Sequence, residues 1–127
     1  MALLPLRGLV PMAHVLDVPR SIEFYHQLGF TTRSQLEHGG SLVWAWMESG
    51  KAHLMLTRSS GAINSGEQAV LFYLYTTDVA GYQAELIERG IAVSSITYPP
   101  YMPEGEIRIE DPDGYVLLVG QSDSVSL

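Results

Sequence analysis

The distribution of apolar and polar residues near the start of the chain predicts a strand followed by a helix. Residues 9–16 are apolar with one polar interruption, which is typical of a buried strand. Asp17 and Pro19 then form a helix start, because an aspartate caps free N–H groups and proline fits the first turn. Gly29 is a natural end for this helix. The stripe of apolar residues at helical spacing comprises Val18, Ile22, Tyr25 and Leu28.

Three short strands are predicted after this helix. Their ranges are residues 31–36, 41–47 and 52–57, and turns that contain glycine lie between them. Residues 58–67 are small, polar and rich in glycine, which is typical of a linker or a mobile loop. This linker falls at the midpoint of the chain.

The order of elements then repeats. Residues 69–76 are a second strand candidate, Asp78 is a second helix cap and Gly90 is a second helix end. Cap and end both recur after 61 residues (78 − 17 and 90 − 29), which indicates an internal repeat. The apolar stripe of the second helix comprises Val79, Tyr82, Leu86 and Ile87.

The second copy continues with further strands. We predict these at residues 91–97, 105–110 and 115–119, with the loop Tyr-Pro-Pro-Tyr-Met-Pro at residues 98–103. The sequence Asp-Pro-Asp-Gly at residues 111–114 fits a type I turn, so the strands on its two sides should pair in antiparallel fashion.

Length and composition fit one ordinary domain. We predict a single domain over residues 1–127, made of two modules at about 8–58 and 68–120 joined by the glycine- and serine-rich linker. The formal net charge of −7 disfavours nucleic acid as a partner, because it repels phosphate. The absence of cysteine excludes disulfides, thiol nucleophiles and cysteine metal sites, and it fits the cytoplasm. No segment reads as a signal peptide or a membrane span.

Two segments of the chain resemble the signatures of a known family. Val-Pro-Arg-Ser-Ile-Glu-Phe-Tyr at 18–25 with Leu-Gly-Phe at 28–30, and Asp-Pro-Asp-Gly-Tyr at 111–115, resemble those of the vicinal oxygen chelate superfamily. That superfamily includes glyoxalase I, extradiol dioxygenases and bleomycin-resistance proteins. The resemblance implies an α+β fold of two βαβββ modules whose strands form a cup-shaped mixed sheet. It also implies a ligand in the cup and a homodimer.

The metal ligands of such proteins are not matched in this chain. The resemblance places the four ligand positions, which carry His, Gln or Glu in metal-dependent members, on Val10, Met55, Phe72 and Leu118. Apolar side chains offer no lone pair to a divalent ion. We therefore expect no metal and no other cofactor.

A second hypothesis is that other residues bind a metal ion. His14 has the strand parity of Val10, and His53 that of Met55, so both are expected to point into the cup. Together with Glu106 they would form a set of two histidines and one carboxylate, as used for non-haem iron. The chain would then be a metal-dependent lyase or dioxygenase of the glyoxalase type. The alternative is that the histidines are polar groups in the wall of a binding cavity.

The same parity defines a largely apolar cavity wall with a few polar points, as in most small-molecule pockets. Trp44 and Trp46 share one face of their strand, where they either stack on a flat ligand or belong to the core. Glu106, Arg108 and Glu110 alternate with two isoleucines, which places a charged row in the cup or in solvent. The expected inward side chains are Val10, Met12, His14, His53, Met55, Thr57, Phe72, Leu74, Thr76, Val116 and Leu118.

The sequence thus favours a metal-free protein that binds or sequesters a small aromatic or cationic molecule, resembling the bleomycin-resistance proteins. The negative charge suits a basic ligand. Arg108 is the candidate contact to an acidic ligand group, and Tyr101 lies in a stiff aromatic loop of the kind that borders the ligand groove in that branch of the family. No catalytic residue is identified. The predicted ligand contacts are His14, Trp44, Trp46, His53, Phe72, Tyr101 and Arg108.

Overall fold

A computed structural model describes residues 3–122. The chain divides into two compact units, residues 1–61 and residues 62–127. Each unit holds one helix and one mixed sheet, as an α+β fold requires. The prediction of an α+β protein is confirmed, while the closure of the strands into a cup stays a prediction.

The first unit is a complete βαβββ module. Its strands stand in the order β1-β4-β3-β2, with β1 parallel to β4 and antiparallel pairing between the others. The elements are β1 (Met12–Val15), α1 (Val18–Gln27), β2 (Thr31–His38), β3 (Ser41–Ser49) and β4 (Ala52–Arg58).

Helix α1 begins and ends at the residues that the sequence indicates. The Asp17 side chain accepts a hydrogen bond from the N–H of Arg20 at 3.0 Å, which satisfies one of the free donors of the first turn. Gly29 follows the helix with a φ of 99°, a left-handed conformation that favours glycine. The fully buried Tyr25 packs edge-to-face against Phe24 and Phe30. This helix covers one face of β3 and β4, where the buried side chains are Ala45, Met47, Leu54 and Leu56.

The second unit repeats this order with one strand fewer. Its sheet has the order β5-β7-β6, with β5 parallel to β7 and β6 antiparallel to β7. The buried residues are Val79 and Leu86 on the helix and Ile107, Ile109, Leu117 and Val119 on the sheet. The elements are β5 (Leu71–Thr76), α2 (Val79–Glu88), β6 (Glu106–Glu110) and β7 (Val116–Gln121).

The predicted strand at 91–97 is wrong as a regular strand. One isolated bridge joins Thr97 to Glu106, and no continuous ladder forms in this segment. The reason lies at Ser94, whose Oγ accepts the N–H of Arg108 at 2.8 Å in the place where a ladder would use a backbone carbonyl. The segment therefore follows β6 without becoming a full strand.

Other details of the elements also differ from prediction. Strand β1 begins at Met12 and not at residue 9, and Leu9 is 87% exposed, so the preceding apolar residues do not join the core. The linker at 58–67 contains a short 3₁₀ helix, Ser65–Glu67, which Asn64 caps. Among the described residues no helix is long and apolar enough to cross a membrane.

Candidate functional site

The face of the first sheet away from α1 gathers four of the predicted site residues. Neighbouring strands place Trp46 opposite Met55, and they place both Trp44 and His14 opposite Thr57. These residues alternate along their strands with the buried side chains that pack under α1, so they lie on the opposite face. We call this surface the aromatic face; its members are Met12, His14, Trp44, Trp46, His53, Met55 and Thr57.

A hydrogen bond fixes the side chains at the centre of the aromatic face. The Nε1–H of Trp46 donates to Nδ1 of His53 at 3.0 Å, and the two rings meet edge-to-face at 5.8 Å. Because the indole N–H can only donate, Nδ1 of His53 accepts this bond and leaves Nε2 to carry the ring hydrogen. Glu48 lies 3.6 Å from the same Nδ1, which then has no hydrogen to donate to it. The Trp46 contact thus sets the tautomer of His53.

The two tryptophans differ in what covers their rings. The guanidinium carbon of Arg33 lies 4.7 Å from the centroid of Trp46, a cation–π distance. The ring of Trp44 is half-buried and, within residues 3–122, has no such neighbour. A flat ligand can therefore stack on Trp44 directly, whereas stacking on Trp46 competes with Arg33 for the ring.

The first unit also contains a cavity of about 440 Å³ near the start of α1. It holds charges of both signs, from Asp17, Glu37 and Arg58. The remaining lining residues are Leu16, Val18, Pro19, Gly40, Ser41 and Leu42. None of the predicted ligand contacts lines this cavity, and the Asp17 carboxylate is already engaged as the helix cap.

The assignment of Phe72 to the inward face is wrong. Phe72 pairs with the buried Leu117, whereas Tyr73 pairs with Leu118, so Phe72 and Leu118 lie on opposite faces. Phe72 belongs to the side of the sheet that carries the core and stacks on Tyr115 at 5.4 Å. Tyr73 takes the place that was predicted for Phe72. The repeat interval could have found it, because Tyr73 follows Met12 of the aromatic face by 61 residues (73 − 12).

Tyrosines and one carboxyl group occupy the face of the second sheet away from its core. Tyr73 lies 5.1 Å from Tyr75 and 6.2 Å from Tyr101, measured between ring centroids. The Tyr101 hydroxyl donates a hydrogen bond to Oε1 of Glu106. Burial and then the neighbouring Glu106 raise the pKa of Tyr73, and the bond to Glu106 is the main cause that raises the pKa of Tyr101. We call Tyr73, Tyr75, Tyr101 and Glu106 the tyrosine cluster.

The three charged residues of β6 differ in how deeply they are buried. Glu106 is 5% exposed, whereas Arg108 and Glu110 are exposed and lie 3.9 Å apart as an ion pair. Alternation along the strand predicted that Glu106, Arg108 and Glu110 share a face, and the strand pairing agrees with this. Alternation alone did not predict that Glu106 is buried while the other two are exposed. Arg108 thus has a partner on its own strand.

The alternative metal set is not formed. Among residues 3–122, no three His, Cys, Asp or Glu side chains lie close enough together to hold a metal ion. The set of His14, His53 and Glu106 is therefore not supported by the structure.

Comparison with known proteins assigns the family. The family model of the Glyoxalase/Bleomycin resistance protein/Dioxygenase superfamily matches residues 11–119. The chain belongs to this superfamily, which confirms the resemblance seen in its two signature segments. No protein among the curated sequences matches the chain.

Solved structures of antibiotic-binding proteins share the fold. A bleomycin resistance determinant encoded on the transposon Tn5 has a TM-score of 0.77 at 17% identity, covering 94% of this chain and 100% of that one. A bleomycin-binding protein in complex with bleomycin has a TM-score of 0.76 at 18% identity, covering 92% and 99%. TnmS3, an antibiotic binding protein from Streptomyces sp. CB03234, has a TM-score of 0.69 at 24% identity, covering 95% and 98%.

Proposed function

We propose that this protein binds and sequesters a small, flat aromatic molecule on the aromatic face of its first unit, without a metal. The observation that carries the proposal is the position of Trp44, Trp46, His14 and His53 on one face of a sheet whose other face already supplies the core. Large aromatic side chains on that side do not serve to pack α1. They are thus available to a ligand.

The chemistry of the aromatic face suits a ring system with polar groups. Indole rings bind flat molecules by stacking and apolar burial. His53 presents its Nε2–H as a hydrogen-bond donor, because Nδ1 accepts from Trp46. The formal net charge of −7 favours a basic ligand over an acidic one.

The structural neighbours give the first ligand to test. One of them was solved with bleomycin bound, and another is an antibiotic binding protein. Bleomycin and a panel of flat basic drugs, such as aminoacridines, are therefore the probes we would use.

Tryptophan fluorescence and calorimetry test the proposal. Bleomycin should quench the fluorescence of the purified protein with saturable stoichiometry, and Trp44→Ala should weaken binding about 5- to 150-fold. Tyr82→Ala is the control, because Tyr82 is a half-buried aromatic residue on α2, outside the aromatic face, and the folded variant should bind normally. If no probe binds at concentrations up to about 100 μM, sequestration of aromatic molecules is the wrong function.

We also propose that the two modules form a single domain and that the protein is a homodimer. Apolar side chains at residues 3–9 support the second point, because Leu3, Leu4, Leu6 and Leu9 are 87 to 95% exposed. Native mass spectrometry at tens of micromolar should give twice the chain mass, and a monomer would contradict the proposal. Coincident unfolding transitions by tryptophan fluorescence and far-ultraviolet dichroism would support one domain.

A cytoplasmic location is our remaining proposal. It is compatible with the absence of cysteine, since the chain then gains nothing from an oxidising compartment. Cell fractionation with an antibody to the protein tests it, and recovery in a membrane or extracellular fraction would contradict it.

A further inference from the structure

Glu106 is a buried carboxyl group with an oxygen that no described residue satisfies. Its Oε1 accepts the Tyr101 hydroxyl, while its Oε2 is inaccessible to solvent and has no hydrogen-bond partner within residues 3–122. The hydroxyl of Tyr73 is buried in the same cluster, close enough to Glu106 for that carboxyl group to raise its pKa, yet it makes no hydrogen bond of normal geometry within residues 3–122. Buried groups of this kind are costly and rare, so two of them together call for an explanation.

Local packing holds these groups in place. Glu106 pairs with Gly120 across the β6–β7 ladder. A Cβ atom at Gly120 would lie 2.7 Å from both the Tyr73 hydroxyl and Cε of Met102. The lack of a side chain at position 120 therefore lets Tyr73 and Met102 close over the backbone beside Glu106. The arrangement is built by the fold of the second unit alone.

The missing partner must donate hydrogen bonds and tolerate aromatic surroundings. A carboxylate oxygen only accepts, and a tyrosine hydroxyl can accept as well as donate. Aromatic rings attract cations through their negative faces, and the tyrosine cluster supplies three. An anion would be repelled by Glu106, and a quaternary ammonium has no N–H to donate. An ammonium with N–H groups meets both requirements.

Arg108, the cation on strand β6, does not donate the missing hydrogen bond to Oε2 of Glu106. Arg108 lies two residues from Glu106 on β6, but its side chain is exposed and pairs with Glu110 at 3.9 Å. Arg108 therefore leaves Oε2 of Glu106 open to a donor from a ligand, beside the Tyr73 hydroxyl.

We propose that Glu106, Tyr73 and Tyr101 form a binding site for the primary or secondary ammonium group of a small organic amine. Tyr101 is the entry point, because its ring is 64% exposed and its hydroxyl covers one oxygen of Glu106. This residue moves aside or shares the carboxylate when the amine enters. The proposal rests on the second unit and is independent of ligand stacking on Trp44 or Trp46.

A pair of fluorescent probes that differ only in charge tests the proposal. Monodansylcadaverine carries a primary ammonium group, and its N-acetyl derivative carries a neutral amide on the same fluorophore. The wild-type protein should bind the cationic probe at least about tenfold more tightly, since hydrogen bonds to charged groups are strong. Glu106→Gln should remove this preference while leaving the binding of the acetylated probe unchanged.

Glu110→Gln is the matched control. It removes the same charge from the same strand and the same face, at an exposed position, and should change the affinity for the cationic probe less than about twofold. An equal effect of both substitutions would mean that only net charge matters, and it would overturn the site.

A thermal melt shows whether Glu106→Gln folds. If it does not, a second variant tests the same site. Tyr73→Phe removes the unpartnered hydroxyl alone and should weaken the cationic probe selectively, by about three- to tenfold. Equal binding of the two probes to the wild-type protein would overturn the ammonium site even if bleomycin binds. Binding of the cationic probe through Glu106 without bleomycin binding would overturn the proposed function and keep this site.

Discussion

Replacement of Trp46 by alanine separates a binding role from a structural one. Trp46 lies half-buried on the aromatic face, where it donates to His53 and carries Arg33 over its ring. If it belongs to a ligand site, a folded Trp46→Ala variant should bind bleomycin more weakly than the wild-type protein. If it serves the core alone, the folded variant should bind bleomycin as the wild-type protein does.

The structure gives the size of each effect. The hydrogen bond to His53 contributes about 1 kcal/mol net, and the contact with the exposed Arg33 about 0.5–1 kcal/mol. With the lost burial of the indole, which adds about 1–2 kcal/mol, Trp46→Ala should lower the free energy of unfolding by roughly 2.5–4 kcal/mol. Tyr25→Ala, at a fully buried ring, should lower it by about 3–5 kcal/mol. Binding of bleomycin to Trp46→Ala should weaken by about 1–3 kcal/mol, or 5- to 150-fold.

The assay combines urea unfolding, followed by circular dichroism, with isothermal titration of bleomycin on each folded variant. Trp46→Phe keeps an aromatic ring but loses the N–H donor, so it should lose about 1 kcal/mol of stability and bind within about threefold of wild type. A loss of stability in Trp46→Ala larger than in Tyr25→Ala would refute the reasoning. Unchanged binding of bleomycin to a folded Trp46→Ala protein would do so equally.

Three further predictions concern the fold. Asp17→Ala and Asp78→Ala should each lower the free energy of unfolding by about 1 kcal/mol in urea, because each carboxylate caps a helix N–H at 3.0 and 2.9 Å. Gly120→Ala should cost about 1–3 kcal/mol by crowding Tyr73 and Met102, and an unchanged urea midpoint would contradict this. The raised pKa of Tyr73 keeps its hydroxyl protonated in the folded state, so stability present below the unfolded value of 10.0 should fall as the pH rises above it. Tyr73→Phe should show a smaller fall between pH 9 and pH 11 in the same urea assay.

The two helices were predictable because local chemistry determines where they start and end. Asp17 and Asp78 cap them as expected, and Gly29 and Gly90 follow them with φ values of 99° and 76°. A cap acts within four residues of itself, so its effect does not depend on the rest of the fold. Both helices have ten residues and lie 61 residues apart, which is the interval read from the sequence.

The identity of the site residues was less predictable because a strand face changes with every residue. A count from Asp78 selected Phe72, one position from Tyr73, and a shift of one residue moves a side chain to the other face. The burial of Glu106 was beyond prediction for another reason. Its contact with Tyr101 depends on how the loop at 98–103 folds back on β6, and no periodic pattern describes such a loop.

The repeat explains why the chemistry of the two units differs although their scaffolds agree. Several positions under each helix are apolar in both copies, such as Val18 and Val79, because they form the core of that unit. Positions on the other face carry no such requirement, and there Met12 and His14 of β1 correspond, at the interval of 61 residues, to Tyr73 and Tyr75 of β5. Divergence on that face is expected when the scaffold is kept for folding and the face for binding. On this reasoning, substitutions on the helix-distal faces should alter ligand preference while the urea midpoint moves little.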